Sequence, residues 1–199
     1  MSQIEKSLHF LAIILGIMTL SAPIIFMLRQ SHRSKGRSSG TAAGSRTWVG
    51  VFLMTMGFTG LGIILWRPLP INLNPVADFF LALIGAILYF PGCGLYLWGL
   101  LTLNNQFGVS GILGAELYSD HKLITRGPFA IIRHPMYLGV LLTALGALFI
   151  FRTWAIILFL PMSLVVLNRA NREEKLLEAE FGDVWKNYAS AVPKWIPKR

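Results

Sequence analysis

The run from Val76 to Leu101 reads VADFFLALIGAILYFPGCGLYLWGLL and carries almost no charge. An α-helix rises about 1.5 Å per residue, so roughly 20 apolar residues cross the ~30 Å hydrocarbon core of a bilayer. This stretch therefore predicts a membrane-spanning helix. Working outward, Leu8–Leu28 and Trp48–Trp66 give two more long apolar segments before it. Beyond it lies a polar interval, Asn104–Pro135, and then a second apolar block from about Tyr137 to Asn168, interrupted only by Arg152 and Thr153. Read as a helical hairpin, the block has arms of about 16 and 15 residues, roughly 24 and 22 Å. Arms that short either thin the bilayer locally or let Arg152 snorkel to the far headgroups. The expected fold class is all-α, a polytopic membrane protein of about five transmembrane helices.

Composition supports this. Of 199 residues 54% are apolar and 14% charged, where a soluble domain carries roughly a quarter charged. That excludes an ordinary cytosolic globule. A disulfide scaffold is excluded too, because the only cysteine, Cys93, lies inside an apolar run. Leu8–Leu28 exceeds the apolar core of a cleavable signal peptide and lacks a small-x-small site after it.

The net charge of +9 invites a nucleic-acid reading, but no basic stretch is interleaved with stacking aromatics. In a membrane protein, Lys and Arg collect instead on the cytoplasmic side, near anionic lipid headgroups. All basic residues except Lys6, Arg67 and Arg152 fall in three stretches: the loop Arg29–Arg46, the interval 104–135, and the tail from Arg169 onward. Five spans with the N-terminus outside and the C-terminus inside put all three on one face. Residues 1–103 then form a three-span scaffold, poor in intramembrane polar groups and without internal repeats. Residues 104–199 hold the chemistry.

In that region His121-Lys122-Leu123-Ile124-Thr125-Arg126-Gly127-Pro128-Phe129 leads into Arg133-His134-Pro135-Met136-Tyr137-Leu138-Gly139. Pro135 pushes His134 out of helical geometry and suits the first turn of the following span. His134 and Tyr137 then sit at a helix entrance, where free N–H groups favour a negatively charged ligand group. A second cluster, Asn168, Arg169, Arg172, Glu173 and Glu174, begins as the last span ends. Arg169 and Glu173 share a helical face, while Glu174 points about 100° away. Leu176, Leu177, Phe181, Val184, Trp185 and Tyr188 continue an amphipathic helix along the cytoplasmic membrane surface, with Gly182 as its break. Taken singly, each cluster also has a plain reading. His134-Pro135 is an interfacial turn, and the Arg/Glu run is a set of surface ion pairs.

Taken together, in this order and spacing, the segment from His121 to Trp195 resembles the isoprenylcysteine carboxyl methyltransferase family, which includes phospholipid N-methyltransferases. The matched features are the His-x-Leu-Ile-x-x-Gly-x-Phe loop, Arg133-His134-Pro135-Met136-Tyr137-x-Gly139, and the apolar hairpin. Arg169, Glu173-Glu174, Leu177, Phe181-Gly182-Asp183, Trp185, Tyr188 and Pro193 complete them. The likeness spans under half the chain. Steroid and sterol reductases share a related Arg-x-Pro-x-Tyr entrance, but Glu173-Glu174 followed by Phe181-Gly182 points to the methyltransferase branch.

The resemblance implies a cytoplasmic S-adenosylmethionine pocket and a lipid-like or prenylated substrate entering from the bilayer. By matched position, His121, Lys122, Leu123, Ile124 and Gly127 line the cofactor, and Phe129 closes over it. Arg133, His134, Pro135, Met136 and Tyr137 meet its methionine part, and Glu173, beside Glu174, takes a positive group. Arg169 corresponds to a substrate-contacting arginine, so Arg169, Glu173 and His134 are the expected catalytic set. One departure is visible: Gly114 stands where family members often carry an amide side chain. A carboxylate acceptor needs a cation to hold it, and Arg169 favours carboxyl over amine methylation. An amine acceptor would instead need a base, such as Glu173, Glu174 or His134. The competing readings are an NADPH-dependent reductase, whose cofactor phosphate Arg126, Arg133 and Arg172 would meet, and a non-catalytic membrane scaffold. No metal site is expected, since His9, His32, His121 and His134 show no ligand spacing.

Overall fold

The computed structural model describes residues 3–30, 56–104 and 122–197, all of them helix, turn or irregular chain apart from one isolated β-bridge. Helix α1 is Gln3–Gln30, α2 covers 56–64, α3 is Pro75–Leu103, and α4 is Pro135–Phe151. Then come α5, Trp154–Ser163, α6, Val165–Phe181, and α7, Asp183–Ala191. Three helical stretches are long and apolar enough to cross a membrane: Glu5–Pro23, Pro75–Leu103 and Trp154–Phe181. Helix α4 is apolar but shorter, at 17 residues. Much of Trp48–Trp66, the loop Ser31–Gly44 and the interval 105–121 lie outside the described residues.

Local chemistry starts α3. Pro75 occupies its first turn, and the Asn74 side chain accepts the Ala77 N–H at 2.7 Å. Helix α3 packs along α4 through a ladder of glycines seven residues apart. A Cβ on Gly92 would lie 2.7 Å from the Thr143 nitrogen, and one on Gly139 would lie 2.7 Å from the Gly92 oxygen. Gly85 and Gly146 form the next rung, where a Cβ on Gly146 would meet the Gly85 oxygen at 2.7 Å. Backbones this close admit no side chain, which is how small residues hold helices together where lipid removes the hydrophobic drive. Helix α1 joins the pair through Tyr89, whose hydroxyl donates to the Ala12 oxygen at 2.8 Å.

Arg152 ends α4 in the left-handed region (φ +46), and the chain turns straight into α5. Its guanidinium pairs with Asp78 at the start of α3, so this arginine has a protein partner as well as any headgroup it reaches. The turn docks on the segment that precedes α3: Leu69 N–H donates to the Arg152 oxygen at 2.7 Å and Trp154 N–H to the Arg67 oxygen at 3.1 Å.

The second hairpin arm differs from a single run to Asn168. Helix α5 stops after 10 residues at Ser163, and α6 begins at Val165. Ser163 Oγ donates to the Leu160 oxygen at 2.6 Å, the carbonyl that Leu164 N–H would use in a continuous helix. Leu164 N–H turns instead to the Pro161 oxygen at 3.1 Å. Gly182, at φ +52, separates α6 from α7 as the sequence predicts.

Candidate active site

The site grows from the entrance of α4. Pro135 is buried in the first turn and His134 is the N-cap residue, with φ −121° and ψ 58°, outside helical geometry. Among the described residues no side chain caps this end. The chain before it, 122–134, is a loop with one 3-10 turn, Gly127–Ala130. Gly127 enters that turn at φ +61, where a Cβ would come within 2.8 Å of Thr102 Oγ1 on α3. The Tyr188 hydroxyl of α7 donates to the Phe129 oxygen at 2.7 Å, fastening the turn beneath the last helix. Burial pushes that phenol up to about 12, against Arg133 and with Glu174, so it remains a donor at neutral pH.

Helix α6 brings two acids to this entrance on adjacent faces, as successive helical positions require. The Tyr137 hydroxyl donates to Glu173 Oε2 at 2.7 Å. Glu174 is engaged at both oxygens. Its Oε1 accepts from Arg133 Nε at 3.0 Å and from His134 Nε2 at 3.0 Å, and its Oε2 accepts from Lys194 Nζ at 2.7 Å. Lys194 Nζ also reaches Asn171 Oδ1 at 2.6 Å. His134 is only 4% exposed, and its ring lies against Tyr137 (5.5 Å, nearly parallel) and Trp195 (5.3 Å).

Arg169, one turn before Glu173, lies over the Tyr137 ring at 5.9 Å. Its Nε is buried and has no hydrogen-bond partner among the described residues. A buried guanidinium N–H without an acceptor is costly, so this atom is a place for a ligand anion. Arg133 faces the other way, donating to the Ala189 and Val192 carbonyls and lying 5.9 Å over the Trp185 ring.

The structure thus gathers Arg133, His134, Tyr137, Arg169, Glu173 and Glu174. Met136 packs on Gly99 of α3, where a Cβ would sit 2.5 Å from its Cγ, so its side chain faces the helix pair. Lys122, Leu123 and Ile124 are the irregular lead-in to the turn, Lys122 exposed and the other two half-buried. His121 and Gly114 fall outside the described residues. Sequence reasoning gave no site role to Lys194, Trp195 or Asn171, because no local pattern links residue 194 to residue 134. An open groove of about 680 Å³ lies on the far side of Glu174, lined by Arg133, Asn171, Lys175, Trp185 and Ser190. Tyr137, Glu173 and Arg169 do not line it. Among the described residues no three His, Cys, Asp or Glu side chains group as a metal site would.

These features have relatives. Residues 80–184 match the phospholipid methyltransferase family, and the chain belongs to that family. It is 31% identical over 106 residues to a protein-S-isoprenylcysteine O-methyltransferase of Schizosaccharomyces pombe, covering 52% of this chain and 45% of the relative. To the protein of the same name from Tribolium castaneum it is 28% identical over 166 residues, covering 79% and 51%. Protein-S-isoprenylcysteine O-methyltransferase B of Arabidopsis thaliana is 26% identical over 144 residues, covering 57% and 67%. The chain therefore spans about half the length of the first two relatives.

Proposed function

We propose that the chain is a membrane methyltransferase that takes its methyl group from S-adenosylmethionine and places it on the carboxylate of a lipid-like, prenylated substrate. The single observation that carries this reading is the buried, unpartnered Nε of Arg169 beside the Tyr137–Glu173 pair. It puts a cation with an open donor next to an acid, and this matches a site that must hold both a carboxylate and positively charged groups. The names of the relatives support the same chemistry.

When bound, the cofactor supplies a methyl group activated by a sulfonium. Glu173 and the N–H groups of the first turn of α4 would hold its charged ends, with His134 and Tyr137 as the walls. Arg169 holds the acceptor carboxylate through its planar fork, which is the alignment that an in-line displacement needs. A carboxylate is already ionised at neutral pH, so no side chain has to remove a proton. The loop 122–134 and α7 exclude water from above. We place the site on the cytoplasmic side of a five-span chain with its N-terminus outside. The charge asymmetry supports this, with residues 1–103 as scaffold and α7 along the membrane surface. Val184 and Ile196, both strongly exposed, suit such a surface.

The family also gives amine methylation a hearing, since it is the phospholipid methyltransferase family. One experiment separates the two. Membranes carrying the protein are incubated with methyl-labelled cofactor, and base-labile esters are separated from stable N-methyl products. Labelled ester, lost in Arg169→Ala, is the expected result; label only in stable N-methyl lipid would overturn the carboxylate assignment.

A further inference from the structure

The segment after α7 makes contacts that helix packing alone does not require. Val192 leaves α7 in extended geometry (φ −109, ψ 124), and the chain then runs back across the α4 entrance. Arg133 N–H donates to the Pro193 oxygen at 2.9 Å and His134 N–H to the Lys194 oxygen at 3.3 Å. This strap satisfies the two backbone donors that precede α4. It also delivers two side chains to one imidazole: Trp195 lies against the His134 ring, and Lys194 holds Glu174 Oε2 while Glu174 Oε1 holds His134 Nε2.

The consequence is chemical. A carboxylate only accepts, so the ring nitrogen facing Glu174 carries the hydrogen, and in the neutral ring Nδ1 is then the acceptor. Glu174 can enforce this only while it is kept from turning. Arg133 and His134 share one of its oxygens, and Lys194, itself braced by Asn171, pins the other.

We infer that Lys194 and Trp195 are positioning residues, which fix the His134 ring so that it presents one defined acceptor, Nδ1, to the bound methyl donor. This rests on the donor-binding reading above. Removing Lys194 leaves Glu174 paired with Arg133, so the charges stay balanced, but frees the carboxylate to turn away from His134, and the imidazole loses the contact that sets its orientation.

The test is titration of the full chain in detergent with S-adenosylhomocysteine, using wild type, Lys194→Met, Lys194→Arg, Trp195→Ala and Trp195→Phe. Lys194→Met and Trp195→Ala are expected to bind about tenfold more weakly, and the Arg and Phe variants to recover most of the affinity. With ¹⁵N-labelled histidine, the His134 signal (identified by its loss in His134→Asn) is expected to show one tautomer in wild type. In Lys194→Met it becomes a mixture, with the melting temperature little changed. Trp195→Ala is the variant at risk of not folding, and Lys194→Met carries the test without it. Wild-type affinity and an unchanged tautomer in Lys194→Met would overturn the strap proposal alone. A wild-type protein that binds no ligand at millimolar concentration would overturn the donor reading, and the proposal with it.

Discussion

Two neighbouring acids, Glu173 and Glu174, share one chemistry and have different surroundings. Glu174 gives both oxygens to Arg133, His134 and Lys194, so it is a strut inside the protein. Glu173 accepts from the Tyr137 hydroxyl and makes no other hydrogen bond or ion pair among the described residues. It is therefore the acid able to receive a positive group. Glu173→Ala is expected to weaken S-adenosylhomocysteine binding about tenfold, the worth of one charge-assisted hydrogen bond, whereas exposed Glu178→Ala leaves it unchanged. Calorimetric titration of both variants checks this, and equal losses would remove Glu173 from the site. In the proposed site Arg169 meets the other ligand, the acceptor. Arg169→Ala is expected to raise the KM for the acceptor and leave donor affinity within about twofold, because the lost contact is made to the acceptor alone. A matching loss in donor affinity would place this arginine elsewhere.

At the scale of elements, the decisive feature is the contact of α3 with α4, which sets where the entrance residues stand relative to α6. Gly92 faces Gly139, and Gly85 faces Gly146, each where a Cβ would strike backbone. Gly139→Leu is thus expected to cost at least the roughly 1–3 kcal/mol of an overpacked core and to lower the melting temperature. Gly94, where a Cβ would meet nothing within 4 Å among the described residues, is the control: Gly94→Ala should be neutral or slightly stabilising as a helix substitution. A thermal melt of the two in the same detergent compares them, and equal midpoints would refute the glycine ladder. Gly182 works by conformation instead. A Cβ there meets nothing, but φ +52 strains any other residue, so Gly182→Ala should cost about 1–3 kcal/mol and loosen the α6–α7 corner.

For the whole molecule, charge and length decide the arrangement in the membrane. Asp78 and Arg152 pair where α3 begins and α4 ends, while Arg133, Arg169, Lys194 and the paired acids gather at the opposite ends of those helices. The proposed five-span topology would put the first group outside and the second inside. Leu73→Cys is then expected to react with an impermeant maleimide on intact cells, and Ser190→Cys only after permeabilisation. Native Cys93 is fully buried and gives little background. Labelling of both from the same side would refute the topology. The apolar runs, the His134-Pro135 break and the Gly182 corner were legible in the sequence because each follows from local physics: bilayer thickness, the missing N–H of proline, and the freedom of glycine. The split between Glu173 and Glu174, the strap over His134 and the facing of the glycine rungs were decided only by the tertiary structure. Each joins side chains or backbones 20 to 61 positions apart in sequence, and no local periodicity encodes which of two adjacent acids will meet a lysine at the far end of the chain.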